Sequence, residues 1–143
     1  MSNKKKYLSY REAWERIESA LAGGQYFEAV TICESIISDR LLSYVLGVDP
    51  DSRLAPKSSF GETIKKWRQL ADTEDRQLVA EVDRWREDRN RVVHGLVKSA
   101  PGRPTEDVAD FIEAARLTAE TGKRLAREVS NWHRKQLRKA QRT

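Results

Sequence analysis

The chain has 143 residues, enough for one domain with its own core and too few for two. Hydrophobic residues make up 38% and charged residues 34%, with only 7 Gly and 4 Pro, a balance that favours helices with charged outer faces over a β-sandwich or a disordered chain. The net charge of +5 sits at the two ends: Lys4 to Lys6 and Arg134, Lys135, Arg138, Lys139 and Arg142 supply 8 of the 27 cations, leaving 19 against 22 acids, a net of −3, elsewhere.

The first helix is predicted to start at Ser9, where Glu12 three residues on completes a capping box. Its apolar positions Ala13, Trp14, Ile17 and Leu21 recur at helical spacing, and Gly23-Gly24 stops it. A second helix from about Gln25 to Leu46 carries apolar residues around most of its circumference, which places it at the centre of a helical bundle. The stretch from Gly47 to Ser59 holds two prolines and several turn formers, so it reads as the longest loop. Phe60, Ile64, Trp67 and Leu70 mark a short third helix. Thr73, followed by Glu74 and Asp75, is expected to cap a fourth, whose inward stripe is Leu78, Val82, Trp85, Val92, Val93 and Leu96. After the break Lys98 to Pro104, Thr105-Glu106-Asp107 caps a last helix with the stripe Val108, Phe111, Ile112, Ala115, Ala119, Leu125, Val129 and Trp132. The expected fold is all-α, an up-and-down bundle of four to five helices in one domain over 1–143, with basic, flexible tails at 1–8 and 134–143.

Common site classes are excluded by what the sequence lacks. It has no glycine-rich phosphate loop, no G-x-S-x-G elbow and no cluster of Cys and His at metal-ligand spacing, so neither a metal nor another cofactor is expected. The single Cys33 lies in an apolar run and reads as a core residue of a reducing compartment. No apolar run approaches the length of a membrane span, and the lysine-rich start is not followed by an apolar segment, so a soluble, cytoplasmic protein is expected. The basic ends are suited to a polyanion such as nucleic acid, and equally to keeping the protein in solution.

Histidine chemistry remains. His94 and His133 are the two histidines, and an unperturbed imidazole titrates near neutrality. His133, within the basic tail, is read as solvated. His94 closes the stretch Arg89-Asn90-Arg91-Val92-Val93-His94 just before Gly95. An arginine five places before a histidine is common in a chain with 17 arginines, but an adjoining asparagine is not, because there are only three.

Arg89-Asn90-x-x-x-His94, on a late helix of a small all-α chain, resembles the R-x(4-6)-H signature of the HEPN superfamily. The resemblance implies a bundle that dimerises, and metal-independent endoribonuclease activity in many members, often as toxins neutralised by an antitoxin or as effectors of phage defence. Other members are catalytically inactive and bind nucleic acid or a partner protein. In the nucleases two copies of the motif face one cleft at the dimer interface. Some HEPN toxins carry tyrosine two residues after the histidine; here that residue is Leu96.

The residue chemistry suits RNA cleavage by 2′-hydroxyl attack. His94 serves as base or acid, Arg89 offers a planar cationic fork for phosphate at any working pH, and Asn90, four residues before His94, orients the imidazole or donates to phosphate. Arg134, Lys135, Arg138 and Lys139 are expected to help hold the RNA. At about 100° per residue, Arg89 falls about 20° from Leu78, inside the apolar stripe, with His94 about 140° further round. An arginine there needs an anionic partner. Glu34 is the first candidate, with Glu28 and Asp39 behind it. A two-fold interface would bring the angularly separated residues to one groove. The plainer reading treats the neighbouring arginines as partners of Asp83, Glu87 and Asp88 on a solvated helix face, and His94 as a cation near helix-terminal carbonyls. The four tryptophans, at stripe positions, read as core or interface.

Overall fold

The computed structural model describes residues 2–98, 101–102 and 107–142. These residues are almost entirely helical, with no strand among them. The helices are α1 (Ser2–Ala22), α2 (Tyr26–Val48), α3 (Phe60–Leu70), α4 (Arg76–His94) and α5 (Val108–Arg142). A single turn of 3₁₀ helix, Thr73–Asp75, leads into α4.

The termini of these helices follow from local chemistry, though not always from the residues the sequence suggested. α1 starts at Ser2, so Ser9 is no cap: it lies inside the helix, where its hydroxyl donates to the Lys5 carbonyl across 3.0 Å. The helix can extend backward because its first turns have partners. Lys6 Nζ sits 2.6 Å from Asp39 Oδ1 on α2, and the Tyr10 hydroxyl donates to the other oxygen of Asp39. The reversal between α1 and α2 depends on Gly24, whose φ of +73° suits glycine. Ser59 caps α3 by accepting from the Glu62 N–H at 3.1 Å. Thr73 does not cap α4; it opens the 3₁₀ turn, and Asp75, at the N-cap position of α4, makes no side-chain cap hydrogen bond. The expected cap at Thr105 lies outside the described residues, and Asp107 takes that role, its carboxylate accepting from Ala109 and Asp110 N–H. The lysines of the N-terminal stretch and the cations of 134–142 both lie on helices.

α2 touches α1, α3, α4 and α5, which explains its run of buried residues: Ala29, Val30, Cys33, Ile36, Ile37, Leu41 and Val45. Burial of each larger apolar side chain contributes roughly 1.5–3 kcal/mol against leaving it in water. Trp67, Trp85 and Trp132 are buried in the same cluster, and the Trp85 indole N–H donates to the Thr118 carbonyl at 2.8 Å. α2 and α5 run side by side in the same direction, from Phe27 against Phe111 to Tyr44 against Trp132. α4 and α5 run in opposite directions: Lys139 meets Glu74, Arg124 meets Glu81, and Gly95 approaches Phe111. Gly122 sits where α5 approaches most tightly; a Cβ there would lie 2.7 Å from Trp85 Cζ2 and 3.2 Å from Cys33 Cβ. The Cys33 thiol is buried, and burial pushes its pKa up to about 12. No helix among the described residues is long and apolar enough to cross a membrane.

Candidate active site

Arg89 and Glu34 form an ion pair between α4 and α2, Nε to Oε1, with side chains only 17% and 28% exposed; the two atoms are in close contact by charge but are not aligned as a hydrogen bond. The guanidinium also stands over the Phe60 ring, 5.6 Å from its centroid, a cation–π arrangement. Phe60 is the part of this site that sequence reasoning missed; it read as core of a different helix, and nothing in the spacing linked it to Arg89. The other two candidate acids are engaged elsewhere, Glu28 with Arg16 at 3.7 Å and Asp39 with Lys6.

The motif's other two members face outward. Asn90 is half-buried and His94 exposed, and neither side chain makes a hydrogen bond to the described residues. Four residues apart, they share one side of α4. The last bond of the helix runs from the Gly95 N–H to the Arg91 carbonyl at 2.7 Å, and Gly95 lies so close to that carbonyl and to Phe111 that a side chain there would collide with both. His94 thus occupies the last turn of α4, where the helix dipole favours a cation.

Several apolar side chains near this end of α4 and at the start of α5 are exposed, among charged and polar neighbours such as Arg91 and Lys98. Val93 and Leu96, expected on the inward stripe, are exposed, as are Val108 and Ile112 of the α5 stripe. Phe27, 44% exposed, packs on Phe111 and joins them. α4's buried stripe is instead Val79, Val82, Trp85 and Val92, with Leu78 half-buried. Its outer charges differ in detail from the expectation as well: Asp83 is shared by Arg86 at 3.0 Å and by Arg68 of α3 at 2.9 Å.

The basic C-terminal stretch does not converge on this place. Arg134, Lys135 and Arg138 are exposed on α5, and Lys139 pairs with Glu74 at 3.0 Å, beside the start of α4. With a rise of about 1.5 Å per residue, His94 is roughly 28 Å away along α4. His133 is not solvated as read from the sequence. It is 6% exposed, packed on the inner side of α5, and burial, with the Arg40 cation nearby, lowers its pKa below the usual histidine value. A buried imidazole of this kind is a neutral packing group.

Among the described residues, Asp72, Glu74 and Asp75 are the acids close enough together to hold a metal ion. They are distant from Arg89 and His94, and Glu74 is already paired with Lys139.

The site therefore consists of a guanidinium paired with a carboxylate from a second helix, a half-buried amide, an exposed imidazole, and exposed apolar side chains at the same end of the molecule. Such groups can bind a phosphate and exchange a proton with a bound hydroxyl. Compared with protein-family models, curated proteins and solved structures, the chain matches none.

Proposed function

We propose that the chain is a HEPN-type, metal-independent endoribonuclease with an up-and-down bundle fold, working as a homodimer and serving as a toxin or phage-defence effector. The observation that carries this reading is the division of labour within one hexapeptide. Arg89 is held by Glu34 and Phe60, while the side chains of half-buried Asn90 and exposed His94 have no hydrogen-bond partner among the described residues.

In this mechanism His94 takes the 2′-hydroxyl proton or returns one to the leaving 5′-oxygen. The outer edge of the Arg89 guanidinium stabilises charge growing on the phosphate, and Asn90 holds the imidazole or the phosphate in place. Glu34 and Phe60 are positioning residues that keep the arginine's direction fixed. Arg89 and His94 are about 140° apart around α4, so a single copy does not aim both at one phosphate. A second copy packed on the exposed Val93, Leu96, Val108 and Ile112 supplies the missing member and covers that apolar surface.

A second reading rests on the same ion pair. If Glu34 neutralises Arg89 permanently, the chain is a catalytically inactive HEPN domain that binds nucleic acid or a partner protein. Incubating RNA with the protein in EDTA separates the two. The nuclease reading requires cleavage that vanishes with His94→Ala and with the all-deoxy analogue of the substrate, and growth inhibition on expression that the same substitution relieves. Cleavage that survives either change refutes the mechanism, and no cleavage by the wild type leaves the binding domain.

A further inference from the structure

A second place in the molecule combines cations, aromatic faces and an unsatisfied buried hydroxyl. It is a groove of about 550 Å³ between α1 and α5, floored by Arg40 of α2. Tyr10 and Trp14 form one wall, one turn apart on α1. Arg127, Ser130 and Arg134 lie along the other wall on α5.

Each cation is poised in a particular way. The Arg40 guanidinium carbon is 3.9 Å from the centre of the Tyr10 ring, and its Nε is buried without a hydrogen-bond partner among the described residues. Asp39, the acid next in sequence, is turned to Lys6 and the Tyr10 hydroxyl. Arg127 lies 5.7 Å from the Trp14 ring, with Glu18 only at 3.7 Å from its Nη2. Arg134 is exposed and has no ion pair among the described residues. The lining also includes Glu15, which is 3.4 Å from Arg11 and so is matched by a further arginine of the same groove. Among the lining residues four arginines stand against one acid, with Glu18 beside Arg127 and Asp39 near Arg40 just outside the lining, so the groove remains cationic.

The second observation is Ser130. Its side chain is 8% exposed, its hydroxyl has no hydrogen-bond partner among the described residues, and it lines the groove. A buried hydroxyl left unpaired costs free energy that a bound acceptor recovers. Cations set beside half-buried aromatic rings, with a hydroxyl between them, match a ligand whose anionic groups alternate with flat faces. Nucleotides in a single strand have that chemistry. The walls from Tyr7 to Trp14 and from Arg127 to Arg134 each extend about 10 Å, longer than one base needs.

We propose that the α1–α5 groove binds single-stranded nucleic acid, with bases against Trp14 and Tyr10 and phosphates on Arg40, Arg127 and Arg134. The groove is separate from the His94 end: Ser130 is nineteen residues along α5 from Phe111, which abuts Gly95, a distance of about 28 Å. The proposal stands whether or not the α4 end cleaves RNA.

Binding is measured with a single-stranded DNA of about ten nucleotides, which offers no 2′-hydroxyl and so keeps cleavage out of the readout. Three tryptophans are buried and Trp14 is half-exposed, so the expected signal is a quench of tryptophan fluorescence that Trp14→Phe removes while affinity is retained. Trp14→Leu should weaken binding by about five-fold or more through lost stacking. Arg134→Gln should lower the slope of log affinity against log salt by about 0.7 to 1, and Arg40→Gln should weaken binding further. Arg134 is exposed, so its variant still reports if Arg40→Gln does not fold. Polyglutamate of matching charge tests for a bare anion site, and ADP for a free nucleotide. Binding of either as tight as the DNA overturns the proposal, as does wild-type affinity in Trp14→Leu or in Arg134→Gln.

Discussion

Glu34→Gln should cost the fold about 1.5–2 kcal/mol, and the reasoning comes from the half-buried state of the pair it breaks. Removing one member of a fully buried ion pair costs about 3–5 kcal/mol, because the other charge is stranded; breaking an exposed pair costs about 0–1 kcal/mol. Arg89 and Glu34 are 17% and 28% exposed, so the cost falls between these limits, and glutamine preserves size and one neutral acceptor. Urea unfolding followed by tryptophan fluorescence measures it, since three tryptophans are buried in the cluster that unfolds. The companion variant is the double replacement Glu34→Leu with Arg89→Met, which removes both charges and keeps apolar volume beside Phe60. It should be more stable than either single replacement, giving a favourable coupling of about 1 kcal/mol or more. A Glu34→Gln midpoint within error of wild type, or simple additivity in the double variant, refutes the claim that this carboxylate holds the arginine. RNA cleavage is the second readout: if Glu34 acts by positioning Arg89, turnover falls in Glu34→Gln while His94 is untouched.

Two other predictions concern the packing that supports the site. Gly122→Ala should destabilise by about 1–3 kcal/mol despite alanine's better helix propensity, because the new methyl would lie 2.7 Å from the buried indole of Trp85 and 3.2 Å from Cys33 Cβ; thermal melting checks it, and an unchanged or raised melting temperature contradicts it. The lowered pKa of His133 fixes the sign of a pH effect. Above pH about 6.5 the imidazole is neutral in both states and contributes no pH dependence, whereas below it the unfolded chain takes up a proton that the buried, Arg40-facing imidazole resists, so stability falls as pH falls. Asp39 also has a lowered pKa; burial opposes that shift, but hydrogen bonds from Lys6 and Tyr10 prevail. Its contribution is lost as pH falls through the usual carboxylate range and below it, so it lies largely beneath this window. Denaturant midpoints between pH 7.5 and about 5 should therefore decline less in His133→Gln than in wild type, and parallel declines would contradict the assignment.

The helices themselves were legible because their signal is periodic and local. Phe60, Ile64, Trp67 and Leu70 alone delimit α3, whose observed span is Phe60–Leu70. The failures share a cause, which is that a polar stretch does not announce a partner far away in sequence. Ser9 made a plausible cap only while Lys6 and Tyr10 had no known counterpart; Asp39, about thirty residues on, turns those residues into the first turns of α1. His133 looked solvated amid arginines and lysines, yet the same helix that exposes Arg134 and Lys135 turns His133 inward. Arg89 is the instructive counter-case. Its position on an apolar stripe demanded an acid, and the demand pointed to Glu34, because an unpaired buried charge is too costly to leave unexplained.

Periodicity also fails to say what an apolar residue faces. The α4 stripe divides after Val92: residues up to it pack inside the molecule, while Val93 and Leu96 meet solvent, as do Val108 and Ile112 of α5 and, in part, Phe27. In sequence these residues are indistinguishable from core, since the same spacing serves a buried face and a face awaiting another chain. Their concentration around His94 links two facts that have no connection within one copy, the exposed apolar surface and the wide angle between Arg89 and His94. The proposed two-fold contact would account for both. Charge placed at its centre tests the link: Ile112→Glu, on an exposed position where the isolated fold loses little, should yield a monomer by light scattering and abolish RNA cleavage together. Cleavage by a monomeric Ile112→Glu protein would separate the apolar surface from the chemistry and leave the angle between Arg89 and His94 without a structural answer.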